Sequence, residues 1–405
     1  MSELGPVVVT GPDDPAAAPA PGDDLVAFRS PRRSLWGLGV ALRIELPAPW
    51  TDHVGVVGRA LADLAGGAPN DAEPGTGPVA FGALPYDRNA PATFIVPAVL
   101  HGRSPDGRRW RTRIGDTDRP TAAARGGSGP EAPRQVRVRS ARDPDDWCDD
   151  VRTATKRIAE GDLTKVVLAR ELIVDADAPF DPASVHLRLV EAAPHAYCFS
   201  VDGFVGASPE LLVSRIGEVV RAQPMAGTAP RSGDEDRDRR AAAELAASAK
   251  NRVEHQITID AVHEAVLPWC SYLDAEPEPS VVAAGPVQHL ATTVEGRLSR
   301  PLPSVLDLVG ALHPTPAVGG WPREPALDLQ RQLEQTDRGR YAGPVGWVDA
   351  AGNGAFAVGI RSVELHGNRG RVFAGVGVVA DSDPLAELDE TRAKSQAVLS
   401  VLSRT

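Results

Sequence analysis

Cysteine is scarce in this 405-residue chain: there are three, Cys148, Cys198 and Cys270, far apart. No Cys-x-x-Cys pair and no Cys/His spacing of a zinc site occurs. That excludes a disulfide framework and a structural zinc, and it points to a reducing compartment. Positive charge is also in deficit, since 43 Lys and Arg face 54 Asp and Glu, for a formal net charge of −11. This excludes the basic stripe of a nucleic-acid binder and simple attraction to an anionic membrane. An anionic substrate would need a local device to reverse the field, such as a metal ion or an arginine pocket. No apolar run approaches the ~18 residues of a membrane span. The start, "MSELGPVVVTGPDD", has neither the basic residues nor the apolar segment of a signal peptide. The expectation is a soluble, cytoplasmic protein without nucleic-acid or membrane partners.

What is present is a chain long enough for a substantial core. Residues 1–25, with the Pro/Ala/Asp-rich "GPDDPAAAPAPGDD", are expected to be disordered. Residues 26–142 form a variable first part, interrupted at 115–134 by a Gly/Pro-rich stretch read as a mobile loop. From Asp143 the text becomes regular. "DPDDWCDDVRTATKRIAEG" has helix start and stop signals, and "TKVVLARELIV" is strand-like. A long helix is expected from Asp236 to about Val266, a strand over "HLATTVEGRLS", hairpins turning at "AGNG" and "HGNRG", and a last helix from Asp383 to Ser403. Hairpin runs framed by separate helices predict an α+β fold of antiparallel sheets.

Two acidic places stand out. In "LAELDETRAK", Glu387, Glu390 and Lys394 share one helix face, while Asp389 points elsewhere. An acidic first turn is also what a helix dipole favours on any solvated surface. In "KNRVEHQITIDAVHEAV", Glu254 stands among apolar residues and needs a partner there, which could be an arginine, a backbone amide or a divalent cation. Mg²⁺ suits such a place because it takes few carboxylates and keeps waters for substrate oxygens. Spacing alone leaves these readings open.

Nine segments then occur in one order: "TKVVLAR" (164–170), "GASPELL" (206–212), "PMAGTAPR" (224–231), "EHQ" (254–256), "QHLATTVEG" (288–296), "LHPTPAVGG" (312–320), "GIRSVEL" (359–365), "FAGVGVVADSDP" (373–384) and "ELDETRAK" (387–394). Together they resemble the chorismate-binding family: isochorismate synthases, salicylate synthases, anthranilate synthase large subunits and aminodeoxychorismate synthases. The resemblance covers 143–405, the expected catalytic region, and only loosely the residues before it. "HPTPAVGG" and "KVVLAR" are most similar to isochorismate synthases. The fold so implied has large antiparallel sheets packed together with helices outside. The activity so implied is Mg²⁺-dependent conversion of chorismate to isochorismate, for menaquinone or siderophore biosynthesis. Water adds at ring carbon 2 and the hydroxyl on carbon 4 leaves, which calls for a base and an acid.

By the same resemblance Lys165 is the base. It must act uncharged, against a reference pKa of about 10.4, and burial beside "VVLA" is one way to achieve that. Glu210 is the general acid, and its apolar flanks Leu211, Leu212 and Val213 suit a carboxyl kept protonated. Glu254 and Glu390 are the implied magnesium ligands, with Glu387 supporting them through water. Asn251 stands where many members have an acid. Arg361 is implied to bind the enolpyruvyl carboxylate as a bidentate fork. Backbone amides of Ala226, Gly227 and Thr228, and of Gly375 and Gly377, are expected close to substrate carboxylates. His289 is placed near the reacting ring, Tyr341 and Lys394 at the carboxylate end, and His313 in a supporting turn. Ala226 replaces the lysine nucleophile of aminodeoxychorismate synthases. The competing readings are a salicylate synthase, which goes on to eliminate pyruvate, an amidotransferase subunit, and a non-catalytic chorismate-binding protein. Family habit implies a monomer.

Overall fold

The computed structural model describes residues 8–10, 13, 18–66, 73–115 and 132–403. Every strand pair among them is antiparallel, and the strands fall into sheets of twelve, nine and three. Most of the predicted stretch at 115–134 lies outside the described residues. Within the first 25 residues, expected to be disordered, Val8–Thr10 adds an edge strand against Arg111–Arg113.

The larger sheet runs from that edge through Val99–Arg103, Ser34–Leu38 and Leu25–Arg29 to Tyr197–Val201 and Phe204–Ser208. It continues through Ser362–His366 and Arg369–Val378 to the long strand Lys165–Ala176. The second sheet contains Val79–Ala83, Pro344–Asp349, Gly354–Val358 and Leu211–Ile216 in neighbouring positions. Residues before 143 therefore supply strands to both sheets. Leu25–Arg29 pairs with Cys198–Ser200, and Val79–Ala83 with Val345–Asp349.

The two sheets pack face to face. Phe28, Leu35, Phe199 and Phe204 from one meet Phe81, Val345 and Trp347 from the other, all at 2% exposure or less. Burying side chains of this size stabilises the sandwich by about 2–3 kcal/mol each before entropy is charged against it. Helices cover the outside. Pro144–Ala159 and Arg323–Glu334 pack on the Lys165–Ala176 strand through Trp147, Val151, Leu329 and Leu168. The last helix, Pro384–Leu402, joins the neighbouring cluster through Val398, Val401 and Leu402.

Two elements differ from expectation. The long helix is two, Glu235–Ala247 and Ala249–Val266. Ser248 ends the first with extended ψ and begins the second, its side chain accepting from the Asn251 amide. Serine competes for backbone in this way without any Pro or Gly to announce it. "HLATTVEGRLS" likewise divides into Val287–Ala291 in the small sheet and Val294–Leu298 in the second sheet. The chain changes sheets at Thr292 and Thr293, whose β-branched side chains read as uninterrupted strand.

Candidate active site

The chain crosses between the two large sheets at Pro209–Glu210 and again at Gly359–Arg361. The crossings are tied together: the Val358 amide donates to the Glu210 carbonyl (3.1 Å) and the Ala207 amide to the Arg361 carbonyl (3.1 Å). Where strands leave a sheet, their side chains no longer fill the sandwich and can face a cavity. That cavity measures about 320 Å³. All fourteen residues singled out as catalytic, substrate-binding or metal-binding line it: Lys165, Glu210, Ala226, Gly227, Thr228, Glu254, His289, Tyr341, Arg361, Gly375, Gly377, Glu387, Glu390 and Lys394.

Glu210 is 4% exposed. Burial pushes its carboxyl up to about 8, against a backbone hydrogen bond from Met225 and the charges of Lys165 and Arg361. Near neutrality it therefore carries its proton, as a general acid must. Lys165, 3% exposed, begins the long strand. Its surroundings are not wholly apolar, as "VVLA" suggested: Nζ donates to Glu254 Oε1 at 2.7 Å. The strand opposite makes room for this side chain. A Cβ at Gly377 would stand 2.6 Å from Lys165 Cε.

Gly375 and Gly377 turn their backbone groups away from the Lys165–Ala176 strand. Val167 and Ala169, which face them, use theirs on the opposite edge. Gly375 is already engaged, its amide at the Tyr341 oxygen and its carbonyl accepting from Lys394 Nζ at 2.9 Å. Gly377 is thus the better placed of the two expected glycine amides.

Arg361 adopts φ 53, a left-handed conformation that costs a non-glycine residue about 1–3 kcal/mol. It buries the guanidinium, at 8% residue exposure, with Nε lacking a hydrogen-bond partner among the described residues. Such a group fits a carboxylate ligand. Its Nη2 donates to His289 Nε2 at 3.3 Å. Burial, then Arg361 and Lys394, push the His289 imidazole down to about 3. His289 is therefore neutral, with Nδ1–H donating to the Gly227 carbonyl (3.1 Å) and Nε2 left as the acceptor. Gly227, at φ 73 in a bulge between Ala226 and Thr228, has a backbone conformation that strains any side chain and little room for one. A Cβ there would meet Asn251 Oδ1 at 3.1 Å.

The carboxylates come from two helices. Glu254 lies on Ala249–Val266, and Glu387 and Glu390 on the last helix. Burial works against ionisation of Glu254, but Lys165, Lys394 and Lys250 outweigh it and hold the carboxyl below its ordinary value. Burial, helped by Glu390, pushes Glu387 up to about 7. Glu390 pairs with Lys394 at 2.5 Å. Asp389 instead is exposed and pairs with Arg392 at 2.7 Å. Among the described residues, no three His, Cys, Asp or Glu side chains close into a ligand cluster. Glu254, Glu387 and Glu390 offer oxygen donors, the type that a hard cation such as Mg²⁺ takes.

Val253, read as part of an apolar neighbourhood of Glu254, is 63% exposed; it lies on the outer side of the helix. His313 is 2% exposed, outside the cavity, with Nε2 donating to the Tyr86 carbonyl at 2.8 Å. Sequence reasoning missed Lys250, Ser382 and Arg338, which also line the cavity. Lys250 and Ser382 lie within or beside quoted segments but carry no distinguishing signal. Lys165, Lys250, Lys394 and Arg338 are each paired with a carboxylate, Glu254, Asp381, Glu390 and Glu334, which leaves Arg361 as the basic side chain of the lining open to an anion.

The sequence model of one family, described as chorismate binding enzyme, matches residues 87–403. A Mycobacterium tuberculosis protein provisionally named isochorismate synthase MenF is 42% identical over 346 residues, covering 81% of this chain and 87% of its own. Isochorismate synthase DhbC of Bacillus subtilis is 36% identical over 336 residues, 80% of each chain. Among solved structures, MenF, the menaquinone-specific isochorismate synthase of Escherichia coli, superposes with a TM-score of 0.84. At 23% identity, with 99% of this chain and 95% of that one covered, this is a likeness of fold.

Proposed function

This chain belongs to the chorismate-binding enzyme family, and from that premise we propose that it is an isochorismate synthase, isomerising chorismate to isochorismate. The observation that carries the proposal is one cavity that holds Lys165 and a protonated Glu210 together. Lys165 serves as the base for the water that adds at ring carbon 2. Glu210 gives its proton to the hydroxyl leaving carbon 4, and the ring double bonds shift between the two carbons. One water enters and one leaves, so the product has the composition of the substrate, and each turnover restores both groups through solvent. Arg361 offers two parallel N–H groups to the enolpyruvyl carboxylate, and neutral His289 orients Arg361 through Nε2. The Gly377 amide and Lys394 serve the carboxylate on the ring.

Glu254 and Glu390 are the residues that would hold Mg²⁺, with Glu387 beside them. When bound, the ion supplies neutralisation and orientation of substrate carboxylate charge. Ala226 favours this reaction over amination through a lysine adduct, because it has no nucleophile and leaves space for water. A salicylate synthase shares the first step, and a binding protein shares the site without turnover.

The test is to incubate the purified chain with chorismate, with Mg²⁺ and separately with EDTA, and to identify products by chromatography and mass. Isochorismate formed only with Mg²⁺ is the expected result. Salicylate with pyruvate would move the protein to the neighbouring branch. No conversion in either arm would leave a chorismate-binding protein.

A further inference from the structure

The strand that carries Lys165 has a gap along one edge. Lys165 and Val166 pair with Trp321 and Gly320, and Leu172–Ala176 pair with Val136–Ser140. Among the described residues no strand lies between them, yet the backbone groups of Val167 and Ala169 facing that edge are buried and must be met. Backbone meets the first of them, the Val167 amide donating to the Gly319 carbonyl, and farther along the Glu171 carbonyl accepts from the Ala141 amide; side chains meet the others. The Val167 carbonyl accepts from Gln330 Nε2 at 2.6 Å and from Arg338 Nη2 at 2.9 Å. The Ala169 amide donates to Glu334 Oε1 at 2.7 Å, and the Ala169 carbonyl accepts from Trp147 Nε1 at 3.3 Å.

Glu334 and Arg338 form the centre of this substitute edge. They are 6% and 3% exposed, and they pair through both carboxylate oxygens, with Nε to Oε2 at 2.8 Å and Nη2 to Oε1. Arg338 Nη1 also donates to the Val318 carbonyl at 3.0 Å. The guanidinium lies 6.0 Å from the centre of the Tyr341 ring, whose oxygen meets the Gly375 amide. One ion pair thus holds the backbone two and four residues from Lys165, with its guanidinium over the Tyr86 ring at 4.4 Å.

We propose that the Glu334–Arg338 pair positions the Lys165 strand for the reaction. This rests on the isochorismate synthase reading above. Its geometry serves placement more than stability. A buried ion pair contributes little to stability over an apolar pair of similar volume. A planar fork with fixed N–H directions, by contrast, sets strand height and register. A displacement of about 1 Å in a catalytic group can cost ~100-fold in rate.

The experiment compares the wild-type chain with Arg338→Lys and with the double variant Glu334→Leu/Arg338→Met. Arg338→Lys keeps a charge beside Glu334 but loses the fork. The double variant removes both charges, so neither is left buried alone. Melting temperature, kcat and KM for chorismate, and hydrogen exchange of the peptide spanning 165–171 are measured well below the melting range. The expected result in both variants is a folded protein with kcat down ~100-fold, KM little changed, and faster exchange confined to 165–171. Wild-type kcat in both variants overturns the proposal. So does a loss of kcat that only tracks the loss of folded protein, with exchange raised everywhere. If the wild-type chain converts no chorismate, the functional reading fails separately. The exchange comparison then decides, and unchanged protection of 165–171 overturns the positioning role.

Discussion

Glu210→Gln separates the electrostatics of the site from its chemistry. In the folded protein the carboxyl titrates at about 8, because burial disfavours its charged form, against 4.5 in the open chain. Between those values the folded state holds a proton that the unfolded state has released. Stability therefore falls as pH rises through this window, by about 1.4 kcal/mol per pH unit. The Glu210 contribution is almost nil below pH 4.5. It costs the fold about 2–3 kcal/mol between pH 5 and pH 7, about 1 kcal/mol more by pH 8, and little beyond. Glutamine has the same shape, keeps an oxygen for the Met225 amide and carries no charge at any of these pH values. The variant should therefore gain stability relative to wild type as pH rises, by about 3 kcal/mol from pH 5 to pH 8. Any fixed cost of the amide cancels in that difference, as do all other titrating groups. Urea unfolding of both proteins at pH 5, 6, 7 and 8, in EDTA and without chorismate, measures it. The same variant should lose ~10²–10⁴ in kcat, as expected when a general acid is removed. A stability difference that stays flat over the window would refute the protonated-acid assignment, whatever the kinetics show.

Glu390→Gln should abolish Mg²⁺-dependent turnover while leaving the melting temperature close to wild type; normal turnover would sink the metal assignment. Arg361→Lys keeps the charge but not the fork, and steady-state kinetics should show kcat/KM for chorismate reduced ~10–100-fold, mostly through KM. An unchanged KM would remove Arg361 from carboxylate binding. Gly377→Ala places a methyl 2.6 Å from Lys165 Cε; it should lower kcat ~100-fold in a folded protein, and a fully active variant would show that Lys165 does not need that space.

Much of this arrangement was legible in the chain because the site is built from short, ordered segments. The strand at "TKVVLAR", the crossings at "ASPELL" and "GIRS", and the last helix each bring their residue to the cavity. The pairing of these segments was not legible from spacing, which cannot show that two helices meet. Local signals failed where a polar side chain replaced backbone. Ser248 splits a helix that contains neither Pro nor Gly, and Thr292 marks a change of sheet inside a β-branched run. Glu334 and Arg338 look in the sequence like any charged pair near a helix end. Only the gap beside Val167 and Ala169 reveals what they do, and strand gaps arise from long-range topology. The Lys165–Glu254 contact was hidden for the same reason, its partners standing 89 positions apart.

In the proposed reaction, water activated by Lys165 enters at carbon 2 while Glu210 protonates the departing carbon 4 hydroxyl. Turnover of chorismate in ¹⁸O-labelled water with Mg²⁺, sampled early and read by mass spectrometry, tests it most directly. The expected product is isochorismate carrying one ¹⁸O, located on carbon 2. Unlabelled isochorismate would mean that the hydroxyl migrates within the molecule, and it would contradict the roles given to both Lys165 and Glu210.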